Sequence, residues 1–326
     1  MSSANTSLRR VASVALAEGG QDTIDIPRTA DIEAVFVRVF GTIATATGAA
    51  TSVKNFAPSQ LIKRLEFFAD GAKTIEEADG RAAVFAAFER GPGIFTAPGT
   101  AVATHNVDAV FRLDRANFDG PRPKDSALHT SPAFISLLQL RMTYSAAILT
   151  DLWVPGAATL GAVNLTADVF VAENQEFRTS DNVEERFLRR VSLQELTIDA
   201  TNSSFAVKLP VGSQLRGVKL VAMDDTGNGS NSVINAVKIR SGLNVRMDMT
   251  FDALRAENRY NYRIPAAEHV AGLAYADLTP DGRLNRLFDL SGASEAELVL
   301  DVTKPAGGNG SVIAQIVEYI PIPAAG

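Results

Sequence analysis

The chain has 326 residues, 46% hydrophobic and 21% charged, with 24 glycines, 14 prolines and a net charge of −6 with histidine neutral. That composition fits a packed protein of about two domains and excludes a disordered, collagenous or low-complexity chain. The absence of cysteine excludes disulfide frameworks, zinc ribbons and cysteine nucleophiles, and an acidic chain without a basic block argues against wrapping nucleic acid.

Taken in chain order, the N-terminal stretch pairs Arg9 and Arg10 with an apolar run over 11–17 that is too short for a signal peptide. Val35, Val37 and Val39 alternate with Phe36, Arg38 and Phe40, which predicts a strand able to bury both faces. Asp70-Gly71 predicts a tight hairpin turn between 65–69 and 72–75, because type I′ turns need positive φ at both central residues. Glu76 and Glu77 are adjacent, so their side chains diverge, and they read as a solvated edge and not an acid–base pair.

Further breaks are expected at Asp79-Gly80, Asp119-Gly120 and Asp281-Gly282, and short helices over 81–90 and 251–260. Gly91-Pro92-Gly93 reads as a turn and not a phosphate cradle. The apolar, irregular segment 92–98 reads either as an intersubunit contact or as a loop folded under its own domain. Leu138, Leu140 and Met142 predict a strand, as do Leu298, Leu300 and Val302, and no stretch of 134–171 is free enough of charge and proline to span a bilayer. Asn309-Gly310 predicts a second hairpin turn.

No motif-grade catalytic set is present. His105, His129 and His269 are far apart in sequence and read as loop histidines, with a triad partner as the alternative. Asp224-Asp-Thr-Gly-Asn-Gly-Ser-Asn231 is oxygen-rich and is the best calcium candidate. It lacks a glutamate at its twelfth position, Asn235, so a solvated turn is the other reading. No catalytic, cofactor-binding or metal-binding residue is assigned. The lone Trp153 is a thin basis for a carbohydrate platform.

An internal repeat organises the chain. Leu8-Arg9-Arg10-Val11 matches Leu188-Arg189-Arg190-Val191 at an offset of 180, and Ile26-Pro27 matches Leu209-Pro210 at 183. Ile32, Val35 and Val37 fall on Leu215, Val218 and Leu220; Ile62, Leu65 and Phe67 fall on Ile234, Val237 and Ile239 at 172; the turn Asp70-Gly71 falls on Ser241-Gly242. Asn117–Gly120 then meets Thr279–Gly282 at 162, Leu138–Met142 meets Leu298–Val302 at 160, and Val169–Val171 meets Gln315–Val317 at 146. The common order predicts an all-β chain of two tandem eight-stranded jelly rolls with short inserted helices. The expected division is an N-terminal arm 1–7, jelly roll 8–177, a charged linker 178–190, and jelly roll 191–326 with its C-terminal tail.

With this repeat, the chain resembles the double-jelly-roll major capsid proteins of tailless, membrane-containing icosahedral bacteriophages, the lineage that includes the adenovirus hexon. The run Ile62-Lys-Arg-Leu-Glu-Phe-Phe-Ala-Asp-Gly-Ala-Lys-Thr-Ile75 is similar to the strand–turn–strand near the start of such proteins. The resemblance implies a structural, non-enzymatic subunit of the virion, assembled in the host cytoplasm. It implies a homotrimer forming a pseudo-hexameric capsomer, with neighbouring capsomers, penton and minor capsid proteins and an inner viral membrane as partners. It implies no cofactor and no specific nucleic-acid binding. A carbohydrate- or receptor-binding sandwich and a two-jelly-roll hydrolase are the alternatives.

Overall fold

A computed structural model describes residues 6–71, 73–83, 95–115, 128, 135–174, 186–265 and 269–322. They fall into two compact units, the first ending at Asn174 and the second starting at Arg186.

The first unit runs β1 (Thr6–Ala15), β2 (Gln21–Asp25), β3 (Asp31–Ala46), β4 (Ser52–Val53), β5 (Ile62–Ala69), β6 (Lys73–Ala78), β7 (Phe95–Thr96), β8 (Thr104–Asp114), β9 (Leu138–Tyr144), α1 (Ile148–Leu152), β10 (Trp153–Val154) and β11 (Thr159–Asn174). One layer orders these strands β1–β11–β3–β8–β7, and the other β6–β5–β9–β2. The second unit runs β12 (Arg186–Ile198), β13 (Asn202–Lys208), β14 (Gln214–Met223), β15 (Ile234–Ser241), β16 (Asn244–Thr250), α2 (Phe251–Tyr262), β17 (Leu273–Asp277), β18 (Phe288–Asp289), β19 (Glu297–Val302) and β20 (Gly310–Ile322). Its layers read β12–β20–β14–β17 and β16–β15–β19–β13. Apart from the two-residue strands β7 and β18, the order is the same in both units. Each is a jelly roll, and the all-β double-jelly-roll expectation holds.

Alternation puts the core where it was expected. Val35, Val37, Leu65 and Phe67 are fully buried, as are Val218, Leu220, Val237 and Ile239. The ladders described within each unit are antiparallel, so one face of each strand meets the opposite layer and the other meets solvent or a covering loop. The outer face of β3 departs from expectation. Phe36 and Phe40 are only partly buried and Arg38 is exposed. Phe36 stacks on Phe170 at 4.9 Å, and the Arg38 guanidinium lies over Phe40 while donating two hydrogen bonds to Asp108.

Asp70-Gly71 forms its turn, with φ of 53° and 74°. Asn309-Gly310 does not, because β19 and β20 lie in different layers: β19 pairs β13 and β15, and β20 pairs β12 and β14. The segment is a crossover, and neither residue has positive φ. The helix expected over 251–260 is α2, with Thr250 Oγ1 accepting from Ala253 N as its N-cap. Of the helix expected over 81–90, residues up to Ala83 are helical and the rest lies outside the described residues. The Asp119-Gly120 break also lies outside them. The short α1 was not anticipated, because five residues are too few to show a helical period.

Two expected boundaries move. Thr6 and Ser7, assigned to the arm, begin β1, and residues 186–190, assigned to the linker, begin β12. Both segments are polar enough to read as non-strand, and the ladder with the last strand of each unit overrides that.

The ladders also correct the repeat. Val35 faces Val171 and Val218 faces Ile316, so the true offset of β20 from β11 is 145. The expected 146 is a one-residue slip, which reverses the face. Val171 points into the core, whereas Val317 packs on the outer side with Val191 and Tyr319. Leu65 faces Met142 and Val237 faces Leu300, so β19 is also two residues off, which preserves the face. The Leu-Arg-Arg-Val match is out of register as well: Ser7 faces Glu173 and Arg190 faces Glu318, an offset of 183.

Candidate assembly surface

The residues that could have formed a reaction centre are tied into the fold. His105 is buried in the first unit, where its Nδ1 accepts from Gly99 N at 3.1 Å. Nε2 therefore carries the proton and faces Ala101 O at 3.0 Å and Thr45 Oγ1 at 3.1 Å. Trp153 is fully buried beside it, 5.9 Å between rings, and donates from Nε1 to Gly99 O at 2.8 Å. A carbohydrate platform on Trp153 is thereby removed.

His269 is buried in the second unit with Nε2 2.9 Å from Leu273 O, while Nδ1 has no hydrogen-bond partner. Burial first, and then the Arg255 guanidinium, push its pKa down from 6.5 to about 4. His129 lies outside the described residues. Neither described histidine contacts a nucleophile–acid pair in the manner of a triad.

Glu76 is not a solvated edge. It is buried and ion-paired with the equally buried Arg115 at 2.7 Å, while Glu77 turns to the other face and pairs with Arg64. The adjacent carboxylates diverge as expected, but a cation delivered from beyond β8 pulls one of them inward.

In the 224–231 loop, Asp224 Oδ1 accepts from Thr226 N, Thr226 Oγ1 and Asn228 N at 2.7–3.0 Å. That oxygen is spent on closing its own turn. Among the described residues no group of three metal-ligating side chains converges. Gly91-Pro92-Gly93 lies outside the described residues. Of segment 92–98, Phe95 and Thr96 pair with Ala109 and Asp108, and Pro98 is buried, which favours the loop folded under its own domain.

The sequence reading missed a carboxylate that recurs in both units. Glu173 on β11 is buried and accepts from Arg9 Nη2 at 2.8 Å and Thr29 Oγ1 at 3.0 Å. Glu318 on β20 is buried and accepts from Arg190 Nε and Ser213 Oγ. The two sit at the ladder offset of 145. Each is gripped by an arginine of the unit's first strand and a hydroxyl of the loop before its third long strand. A lone glutamate following an apolar run, Val171-Ala172-Glu173 and Ile316-Val317-Glu318, is the signal that could have revealed them.

Among the charged side chains that face outward, a few large apolar ones are also left uncovered. The exposed large hydrophobic residues among those described are Leu8, Val102, Leu137, Val211, Leu243, Val245 and Tyr260. Leu243 occupies the two-residue turn Gly242-Leu243 and is completely exposed. The corresponding first-unit turn places Asp70, whose Oδ1 accepts from Ser136 Oγ, Ser136 N and Leu137 N. Those bonds, the Ser136 hydroxyl foremost, hold its carboxyl below the usual range. Equivalent tips thus carry a spent carboxylate in one unit and a bare leucine in the other.

The margin beyond β17 is closed by α2. Asn258 donates from Nδ2 to Tyr275 O at 2.8 Å and accepts from Tyr275 N at 2.7 Å, so a side-chain amide completes the open edge as a strand would. Arg255 donates to Leu273 O, His269 O and Val270 O, and Tyr262 Oη donates to Asp277.

No protein-family model matches the chain, and no curated protein matches it in sequence. Solved structures match over nearly its whole length. The STIV MCP superposes with a TM-score of 0.75 at 15% identity, covering 97% of this chain and 96% of that one. An atomic structure of Sulfolobus Turreted Icosahedral Virus gives a TM-score of 0.75 at 16% identity, covering 97% and 91%. The major capsid protein P2 of bacteriophage PM2 gives 0.60 at 13% identity, covering 96% and 97%. The shared architecture is the double jelly roll, matched end to end.

Proposed function

We propose that this chain is a major capsid protein, a structural subunit of an icosahedral virion and not an enzyme. The observation that carries this reading is the same jelly-roll strand order twice in one chain, together with superposition on capsid proteins over at least 96% of both partners in two cases. Two similar units per chain suit a trimer, since three chains supply six similar columns for a pseudo-hexameric capsomer. We further propose neighbouring capsomers, penton and minor capsid proteins and an inner membrane as its surroundings in the virion, with assembly in the host cytoplasm. The buried ion pairs support a building role, because they spend the polar groups on fixing strands and leave no convergent acid, base and nucleophile among the described residues.

Mass measurement of the purified protein at micromolar concentration tests the reading, with a trimer and capsomer-sized rosettes in electron micrographs as the expected result. A stable monomer across that range overturns it.

A further inference from the structure

Two strands stand apart from the others among the described residues. Among the described residues, β1 and β16 are the strands of five residues or more in which no side chain is buried. Both lie at the margin of their layers, so each also presents an open row of backbone N–H and C=O groups. Yet each carries apolar residues: Leu8, Val11 and Val14 on β1, and Val245 on β16, where Met247 and Met249 pack partly on the unit's own core. Leu8 is 62% exposed, Val245 49%, and Leu243 at the entrance to β16 wholly so.

Other margins are handled differently. β17 is closed by α2 through Asn258, β8 is extended by β7, and the marginal β2 and β13 each bury one apolar residue, Ile24 and Val207. Neither β1 nor β16 carries a proline, the residue that most firmly blocks edge pairing.

We propose that β1 of one copy pairs edge to edge with β16 of a second copy of this chain, an interface that rests on the capsomer reading above. An open edge is satisfied by another open edge, and one chain offers the two on different units. The contact is therefore heterologous, with each copy giving one edge and receiving the other, so repetition around an axis closes a ring and leaves neither edge bare. The lengths agree, with ten residues on β1 able to span all seven of β16. Charge neither drives nor blocks the contact: Arg9 and Arg10 of β1 are paired with Glu173 and Asp168 in their own unit, and on β16 Arg246 balances Asp248, which pairs with Lys238. Pairing also covers Leu8 and Val245, the apolar side chains that a single copy leaves in water.

The chain contains no cysteine, so introduced thiols report cleanly. Single variants Ser7→Cys and Ser13→Cys on β1 are mixed pairwise with Asn244→Cys and Asp248→Cys on β16 and mildly oxidised. The expected result is a disulfide-linked dimer in at least one mixed pair, about tenfold above same-strand dimers. In parallel, Leu243→Lys with Val245→Lys, both at exposed positions, is expected to raise the concentration at which the oligomer half-dissociates by about tenfold or more. Oligomers of trimer mass that give no mixed cross-link and ignore the lysine pair overturn this interface and leave the capsomer reading standing. Absence of any oligomer overturns both.

Discussion

The two units reach one topology by different local means, and the contrast is sharpest at the far margin of the β1 and β12 layers. In the first unit a two-residue strand, β7, extends β8. In the second a twelve-residue helix closes β17 with a single asparagine amide, backed by Arg255 and Tyr262. The layer order tolerates either solution because it asks only that the edge be closed. At the opposite margin the units agree, each burying one glutamate under an arginine and a hydroxyl. Chain topology and this carboxylate lock are shared, while edge covers and turn tips are free to differ.

The largest expected effect tests whether the paired cores are equivalent. Phe67→Ala and Ile239→Ala occupy matching positions, and both side chains are fully buried. Each is expected to destabilise its own unit, by about 3–5 kcal/mol for the first and about 2–5 for the second. Calorimetry showing one transition shifted in each variant supports the match, and an effect confined to one variant breaks it.

Next comes the carboxylate lock. Glu318→Ala is expected to cost about 2–3 kcal/mol through loss of charge-assisted hydrogen bonds, and Glu173→Ala somewhat less. The Glu318 side chain has no exposure and that of Glu173 has 6%, while both arginines are nearly half exposed and can turn to water. Denaturant titration gives the order, and a larger loss at Glu173 would reverse the argument.

Acid titration separates the units further. His269 in the unfolded chain takes a proton near pH 6.5, and in the folded unit not until about 4. The unfolded state therefore binds more protons between those values. Stability of the second unit should fall as pH drops from about 6.5 to about 4 and level off below, by at most about 3 kcal/mol. His269→Gln should flatten that slope, and a slope unchanged in the variant would assign it to other groups.

The smallest effect concerns the edge cover. Asn258→Ala removes two hydrogen bonds to Tyr275, worth about 1–3 kcal/mol together. It should also speed hydrogen exchange at the Tyr275 amide ahead of the rest of β17. Uniform acceleration across the unit would instead mean that α2 is part of the global core.

Much of this fold was legible because core strands obey period 2. Val35–Val39, Leu138–Met142 and Leu298–Val302 are strands with their expected faces inward. Register was less legible. Bulges at Leu215/Gly217 in β14 and Arg10/Ala12 in β1 add a residue that no spacing of apolar side chains betrays, so matched strings slipped by one or more. Asn309-Gly310 misled for a related reason, since a turn dipeptide does not say whether the next strand stays in the layer or crosses to the other. The inward pull on Glu76 could not be read locally, because its partner Arg115 lies thirty-nine residues away. The bare margins of β1 and β16 were equally hidden, since exposure of an apolar residue is a property of what fails to cover it.

The chain's only tryptophan also has an optical consequence. Trp153 sits wholly inside the first unit, with its indole N–H on Gly99 O and the His105 ring alongside. Its emission should be blue-shifted in the native protein and should red-shift only when the first unit opens. Far-ultraviolet dichroism sees both units, so fluorescence and dichroism recorded on one sample amount to a two-channel readout, one channel of which is blind to the second unit.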